Sequence, residues 1–208
     1  MNQPHVICLG EALVDRLGPL GGKPSLTKPF KDCLGGAPAN VACGLAKLGI
    51  DVGFIGCVGN DSIGDKFQNL FTSRGVNIRG LQVHEDFPTR IVLVERDAKG
   101  ERTFGGFCPE QINIFADQAL DINQLKRIWP SFISESKWLL MGTIPLAFEG
   151  SREIYKWTID EALKKGVQIA IDLNWRPTFW DPSNAPNSPP SSDVCYLIKS
   201  FLEKSSLL

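Results

Sequence analysis

The chain has 208 residues, enough for one large domain to bury a core, and its 43% hydrophobic and 22% charged residues are those of an ordinary globular protein. A net charge of -1 excludes a general pull toward nucleic acid or an anionic membrane, so any affinity for a phosphate has to be local. Six cysteines stand without a Cys-x-x-Cys pair and with only two histidines, His5 and His84, which leaves little for a zinc site or a Cys/His nucleophile. They read as reduced thiols packed like small apolar residues. No basic segment precedes an apolar run at the N-terminus, where Glu11 and Asp15 intervene, and the longest apolar run, 138–148, is too short to span a bilayer. The expected compartment is the cytoplasm.

His5-Val6-Ile7-Cys8-Leu9 is a short apolar run ended by Gly10, the pattern of a buried strand opening an α/β sheet. Ala12-Leu13-Val14-Asp15 resumes it and ends on a carboxylate. Open α/β sheets hold ligands at such strand ends, so Asp15 is a candidate binding residue; its position also suits a turn cap. From 18 to 31 the chain turns to Gly, Pro, Lys and Ser, as in a loop or projecting flap.

Gly35-Gly36-Ala37-Pro38-Ala39-Asn40 follows. Paired glycines allow close backbone approach, and Pro38 fixes a helical φ in a first turn. The helix runs on through Val41, Ala42, Leu45, Ala46 and Leu48 as its expected buried face, until Gly49. A glycine turn opening a helix can hold a polar group on its free amides; it also suits a tight turn into an ordinary core helix. Val52-Gly53-Phe54-Ile55-Gly56-Cys57-Val58-Gly59 reads as a second buried strand. A helix over 61–74 follows, capped by Asp61 or Ser62, with Ile63, Phe67, Leu70 and Phe71 inward and Gly75 as its stop. Strand, helix, strand, helix is the pattern of a parallel sheet.

The pattern then breaks. Residues 89–95 are β-rich, Asp97-Ala98-Lys99-Gly100 is a turn, and 101–107 is extended again, which together make a hairpin. Segments at 18–31 and 89–107 thus suggest a small separate sheet that could cover a site as a lid. A core strand at 137–141 precedes a helix over 149–165 with Ile154, Trp157, Thr158, Ala162 and Leu163 inward. Val167-Gln168-Ile169-Ala170-Ile171-Asp172 is a further strand ending on a carboxylate, and Leu173-Asn174-Trp175-Arg176-Pro177 leaves it. In a parallel sheet the two aspartates, the glycine turn and Arg176 converge on one edge. Residues 183–192 read as a loop and 194–208 as a helix.

Five motifs in order carry a family resemblance: Gly10-Glu11-Ala12-Leu13-Val14-Asp15, Gly35-Gly36-Ala37-Pro38-Ala39-Asn40-Val41-Ala42, Gly56-Cys57-Val58-Gly59-Asn60-Asp61-Ser62-Ile63-Gly64, Gly100-Glu101-Arg102-Thr103-Phe104 and Asp172-Leu173-Asn174-Trp175-Arg176-Pro177. With them the chain, residues 1–208, resembles the N-terminal two thirds of a PfkB-type (ribokinase-like) carbohydrate kinase, most closely a fructokinase. The resemblance implies a ribokinase-like α/β fold, a Rossmann-like parallel sheet with a small β lid, truncated at its C-terminus. It implies transfer of the γ-phosphoryl group of ATP, with Mg2+, to a sugar hydroxyl, most simply that of fructose to give fructose 6-phosphate. Asp15, Gly35, Gly36 and Asn40 would bind sugar hydroxyls, Phe104 would close over the sugar, and Arg176 would face the sugar or the incoming phosphate. A homodimer through the lid is compatible with it, and no nucleic-acid or membrane partner is implied. Cys108-Pro109-Glu110-Gln111 departs from the family's Gly-Ala-Asp-like continuation, which bears on the choice of sugar.

The family's Asn-x-x-Glu segment, its Gly-Ala-Gly-Asp segment with the catalytic base and anion hole, and most of its nucleotide pocket would lie beyond Leu208. No Gly-Ala-Gly-Asp occurs in these 208 residues. No catalytic residue is therefore expected here. A general base is worth roughly 10²- to 10⁴-fold, so residues 1–208 alone are expected to be inactive. The alternative is a non-catalytic sugar-binding or interaction module.

Overall fold

Short apolar runs bounded by glycines become strands, and amphipathic stretches between them become helices. In the computed structural model, which describes residues 3–22, 30–108, 114–181, 183–185 and 187–207, the first elements are β1 (Val6–Leu9), β2 (Leu13–Leu20), β3 (Lys31–Gly35), α1 (Ala37–Lys47) and β4 (Val52–Gly59). Next come α2 (Ser62–Arg74), β5 (Asn77–His84), β6 (Ile91–Arg96), β7 (Arg102–Cys108) and α3 (Ile122–Ile133). The last are β8 (Trp138–Gly142), α4 (Glu149–Lys164), β9 (Gln168–Asp172), α5 (Pro177–Trp180) and α6 (Ser192–Leu202).

β5, β4, β1, β8 and β9 lie side by side in that order, all parallel. The chain steps from β1 out to β4 and β5, then returns to β8 and β9 on the other side of β1. The crevice where strand order reverses is the place where such sheets bind ligands. A second sheet, in the order β3, β2, β6 and β7, pairs β2 parallel to β6 and antiparallel to β3, and β6 antiparallel to β7.

Alternation along β1 sends Ile7 and Leu9 to one face and Cys8 to the other. On the first face they join Leu125, Trp129 and Phe132 of α3, Ile154 and Ile159 of α4, and Phe201 of α6. On the second, Cys8 and Phe54 join Ala39 and Ala42 of α1 and Phe67 and Phe71 of α2. Each large apolar side chain fully buried this way contributes roughly 1.5–3 kcal/mol, so the two layers of helices hold the sheet. A third cluster fastens the second sheet to the body: Leu13, Leu17, Val92 and Val94 pack with Ile144 and Phe179.

Helix boundaries follow their local chemistry. α2 starts where Asp61 accepts from the amides of Ile63 (2.9 Å) and Gly64 (2.8 Å), and stops at Gly75 in the left-handed region at φ 80. Asp61 also accepts from the Thr89 amide at 2.7 Å, tying the start of α2 to the chain just before β6.

Several expectations need correction. Asp15 does not end a core strand: the chain leaves the parallel sheet after Leu9, and Asp15 lies within β2 opposite Cys33 and Val92. Gly10, just past β1, lies so close to Pro38 that a Cβ there would sit 2.4 Å from its ring. Val41 and Leu48 are exposed, because α1 buries the stripe of Pro38, Ala39 and Ala42. Leu163 is exposed as well, one position round from the buried Ala162 of α4. β5 and α3 lie outside the elements expected from sequence.

The hairpin over 89–107 forms as β6 and β7, and α4, β8 and β9 fall within one or two residues of expectation. The flap at 18–31 begins inside β2 and ends at β3; its residues 23–29 lie outside the described set, as do 109–111 of the family departure, 182 and 186 near the loop at 183–192, and Leu208.

Candidate sugar site

A cavity of about 780 Å³ opens between the C-terminal tips of the parallel strands and the inner face of the second sheet. β1 delivers Glu11 to it and β2 delivers Asp15. The glycine turn and first turn of α1 contribute Gly36, Ala37 and Asn40. Arg102, Thr103 and Phe104 come from β7, and Asn174, Arg176 and Phe179 from the exit of β9 and α5.

Gly36 makes this turn feasible. It sits at φ 97, and a Cβ there would lie 2.4 Å from the Glu11 carbonyl oxygen. A glycine at the N-cap offers α1 no side-chain acceptor, and the carboxyl of Glu11 serves in its place: Oε1 accepts from the Ala37 amide at 3.1 Å. Glu11 is 1% exposed, and its Oε2 is buried without a hydrogen-bond partner among the described residues. Burial pushes its carboxyl up to about 7; the nearby carboxylates of Asp117 and Asp172 add to the rise, while the Ala37 hydrogen bond opposes it. A buried acid in this state can hold a proton near neutrality.

Asp15 is half-buried, which raises its carboxyl above the ordinary range, while the guanidinium groups of Arg102 and Arg176 pull the other way. The carboxyls of Glu11 and Asp15, the carboxamides of Asn40, Asn174 and Asn187, the guanidiniums of Arg102 and Arg176 and the Gly36 backbone thus line a common space beside the rings of Phe104 and Phe179. Such a set offers donors and acceptors to a polyol and an apolar surface to its carbons.

Of the residues singled out from sequence, Asp15, Gly36, Asn40, Phe104 and Arg176 line the cavity. Gly35 does not: it lies behind Asp15, where a Cβ would come 3.3 Å from Oδ2 of that carboxylate. Arg176 is exposed and donates to the Trp175 carbonyl at 3.0 Å. Asp172 supplies a backbone acceptor to Thr143 and is absent from the lining.

Glu11, Arg102, Asn174 and Phe179 are among the cavity residues that the sequence did not single out. Glu11 was visible as a carboxylate directly after the first strand, and Arg102 as the residue two before Phe104 on one strand. Among the described residues no three His, Cys, Asp or Glu side chains are grouped to hold a metal ion, so none is assigned to Mg2+.

A parallel α/β sheet layered by helices, with its switch-point crevice under a second sheet and a cavity lined by carboxyl, carboxamide and guanidinium groups, has the architecture of a small-molecule-binding domain. The chain belongs to the pfkB family of carbohydrate kinases, whose model matches residues 3–195. Among curated relatives, the fructokinase of Escherichia coli is 34% identical over 172 residues, covering 83% of this chain and 51% of the relative. The crystal structure of fructokinase from Xylella fastidiosa superposes with a TM-score of 0.73 at 31% identity, over 87% of this chain and 54% of that one. A structure of Xylella fastidiosa fructokinase with bound ATP gives a TM-score of 0.71 at 28% identity, over 88% and 56% of the two chains. The chain spans about half the length of the curated relatives it matches.

Proposed function

We propose that this chain carries the sugar-binding part of an ATP-dependent sugar kinase, with fructose as the sugar. The observation that carries the proposal is the meeting of Asp15, Gly36 and Asn40 in one cavity with Arg102 and Arg176. Asp15 accepts from sugar hydroxyls, and Asn40 both donates and accepts. Phe104 and Phe179 cover the carbon skeleton and exclude water, as the second sheet closes like a lid. Arg102 and Arg176 meet the charge of the transferred phosphoryl group, for which ATP is the donor substrate. The relatives named fructokinase and the ATP-bound neighbour support this choice of substrates.

Phosphoryl transfer rests on positioning and charge stabilisation, and these 208 residues contain no Gly-Ala-Gly-Asp segment. Residues 1–208 by themselves therefore bind fructose without turning it over. Titration calorimetry with fructose, beside a coupled assay with fructose and MgATP, tests both halves. Binding without phosphate transfer supports the proposal. Absence of binding refutes the sugar site, and turnover of about one per second refutes the expectation that residues 1–208 alone do not transfer phosphate.

A further inference from the structure

Residues 85–90 carry the chain from the parallel sheet to the second sheet, and the last of them is a buried arginine. Arg90 and Asp117 are 2% and 3% exposed and form a two-pronged ion pair, Nε to Oδ2 at 2.7 Å and Nη2 to Oδ1 at 2.8 Å. Four rings surround the guanidinium: Phe115 at 4.3 Å, Phe107 at 4.9 Å, and Phe148 and Phe179 each at 5.1 Å. They come from four places: the chain before Asp117, strand β7, the start of α4, and α5. The Arg90 carbonyl also accepts from the Val14 amide of β2 at 3.0 Å.

Desolvating such a pair costs several kcal/mol, and an apolar pair of similar volume would fill the space at least as stably. What a planar fork on a carboxylate adds is direction. Here that direction reaches the cavity. Phe107 meets Phe104 edge-on at 5.1 Å and Phe179 edge-on at 5.0 Å, and both of those rings line the sugar site.

We propose that the Arg90–Asp117 pair positions the second sheet over the cavity, fixing the rings of Phe104 and Phe179 at the angle that a bound sugar requires. Both residues act through other groups, and the ligand half of the proposal rests on the sugar-site reading above.

The experiment uses the 208-residue chain and two variants, the double replacement Arg90→Met with Asp117→Val, and Arg90→Lys. The double variant removes both charges and keeps the volume, so its urea midpoint stays near that of wild type. In the sugar-free state, amide exchange in β6 and β7 rises about tenfold or more while β4 keeps its protection. Fructose affinity by calorimetry falls about tenfold or more. Arg90→Lys keeps the charge without the fork and shifts exchange in the same strands, which decides the matter if the double variant does not fold. Wild-type exchange in β6 and β7 in either folded variant overturns the proposal, as does unchanged fructose affinity in a variant whose strands have loosened. A wild-type chain that binds no fructose refutes the sugar site alone, because the exchange comparison still decides whether the pair positions the sheet.

Discussion

Replacing Glu11 by glutamine separates its charge from its hydrogen bond. Glutamine keeps an oxygen for the Ala37 amide and cannot ionise. Burial is the main cause that pushes the Glu11 carboxyl from 4.5 up to about 7. At about 1.4 kcal/mol for each tenfold change in proton affinity, the rise is worth about 3 kcal/mol. The folded state holds this proton more tightly than the unfolded chain does. Its contribution to stability is therefore complete below pH 4.5 and is lost as the pH rises through about 7. The titratable groups that face Glu11 are Asp117, Asp172 and Tyr155. Asp15 is raised in the same direction, so the informative quantity is the difference between wild type and Glu11→Gln. Urea unfolding at about pH 5 and about pH 8 is expected to show wild type losing about 2–3 kcal/mol more than the variant. Equal losses in the two proteins would refute the assignment of a buried, proton-holding carboxyl to this position.

Three further outcomes are expected. Asp15→Ala abolishes fructose binding in calorimetry without lowering the urea midpoint; unchanged binding would return Asp15 to a structural role. Gly36→Ala forces a Cβ to 2.4 Å from the Glu11 carbonyl at φ 97, and is expected to destabilise the chain by about 1–3 kcal/mol and to weaken sugar binding. Asp61→Ala removes the cap of α2 and the link to Thr89, lowering stability by about 1–2 kcal/mol with no direct effect on the cavity; a matching loss of fructose affinity would contradict that separation.

The elements that the sequence showed are those whose signals are local. Gly36, Asp61 and Gly75 mark the ends of α1 and α2 within a few residues, and the turn at 97–100 marks the hairpin. β5 escaped because Arg79 and Gly80 interrupt it and because Gln82 is buried through contacts with Asp121, 39 residues away. α3 carries Leu125, Trp129, Phe132 and Ile133 at helical spacing, yet Pro130 inside it reads as a breaker. The site divides in the same way. Asp15, Asn40 and Phe104 announce themselves by residue type and motif. Glu11 and Arg90 owe their state to partners 26 and 27 residues off, and no window of sequence contains both members of either pair. The sheet that holds Asp15 was misassigned for a related reason: β2 continues the alternation of β1 and differs only in what pairs with it.

A glycine turn at a helix N-terminus suits either an anion or a neutral hydroxyl-bearing ligand, and Glu11 decides between them here. The first amide of α1 is already engaged by its carboxyl, and the Asn40 amide is engaged by the Gly36 carbonyl. A phosphate drawn to this turn would set its negative charge beside a carboxyl that itself ionises as the pH rises through about 7. Two unit charges of like sign about 4 Å apart repel by roughly 4 kcal/mol at the effective dielectric of a protein edge, enough to cancel what a helix end offers an anion. A sugar hydroxyl meets no such repulsion and can accept a proton shared by the neutral acid. The cations of the cavity stand elsewhere, beside Asp15, where Arg102 and Arg176 offset its charge. On the proposed reading, the α1 side of the cavity takes hydroxyls, while Arg102 and Arg176 offset the charge of Asp15 and meet the phosphoryl group, so that the sugar is oriented by charge before any chemistry begins.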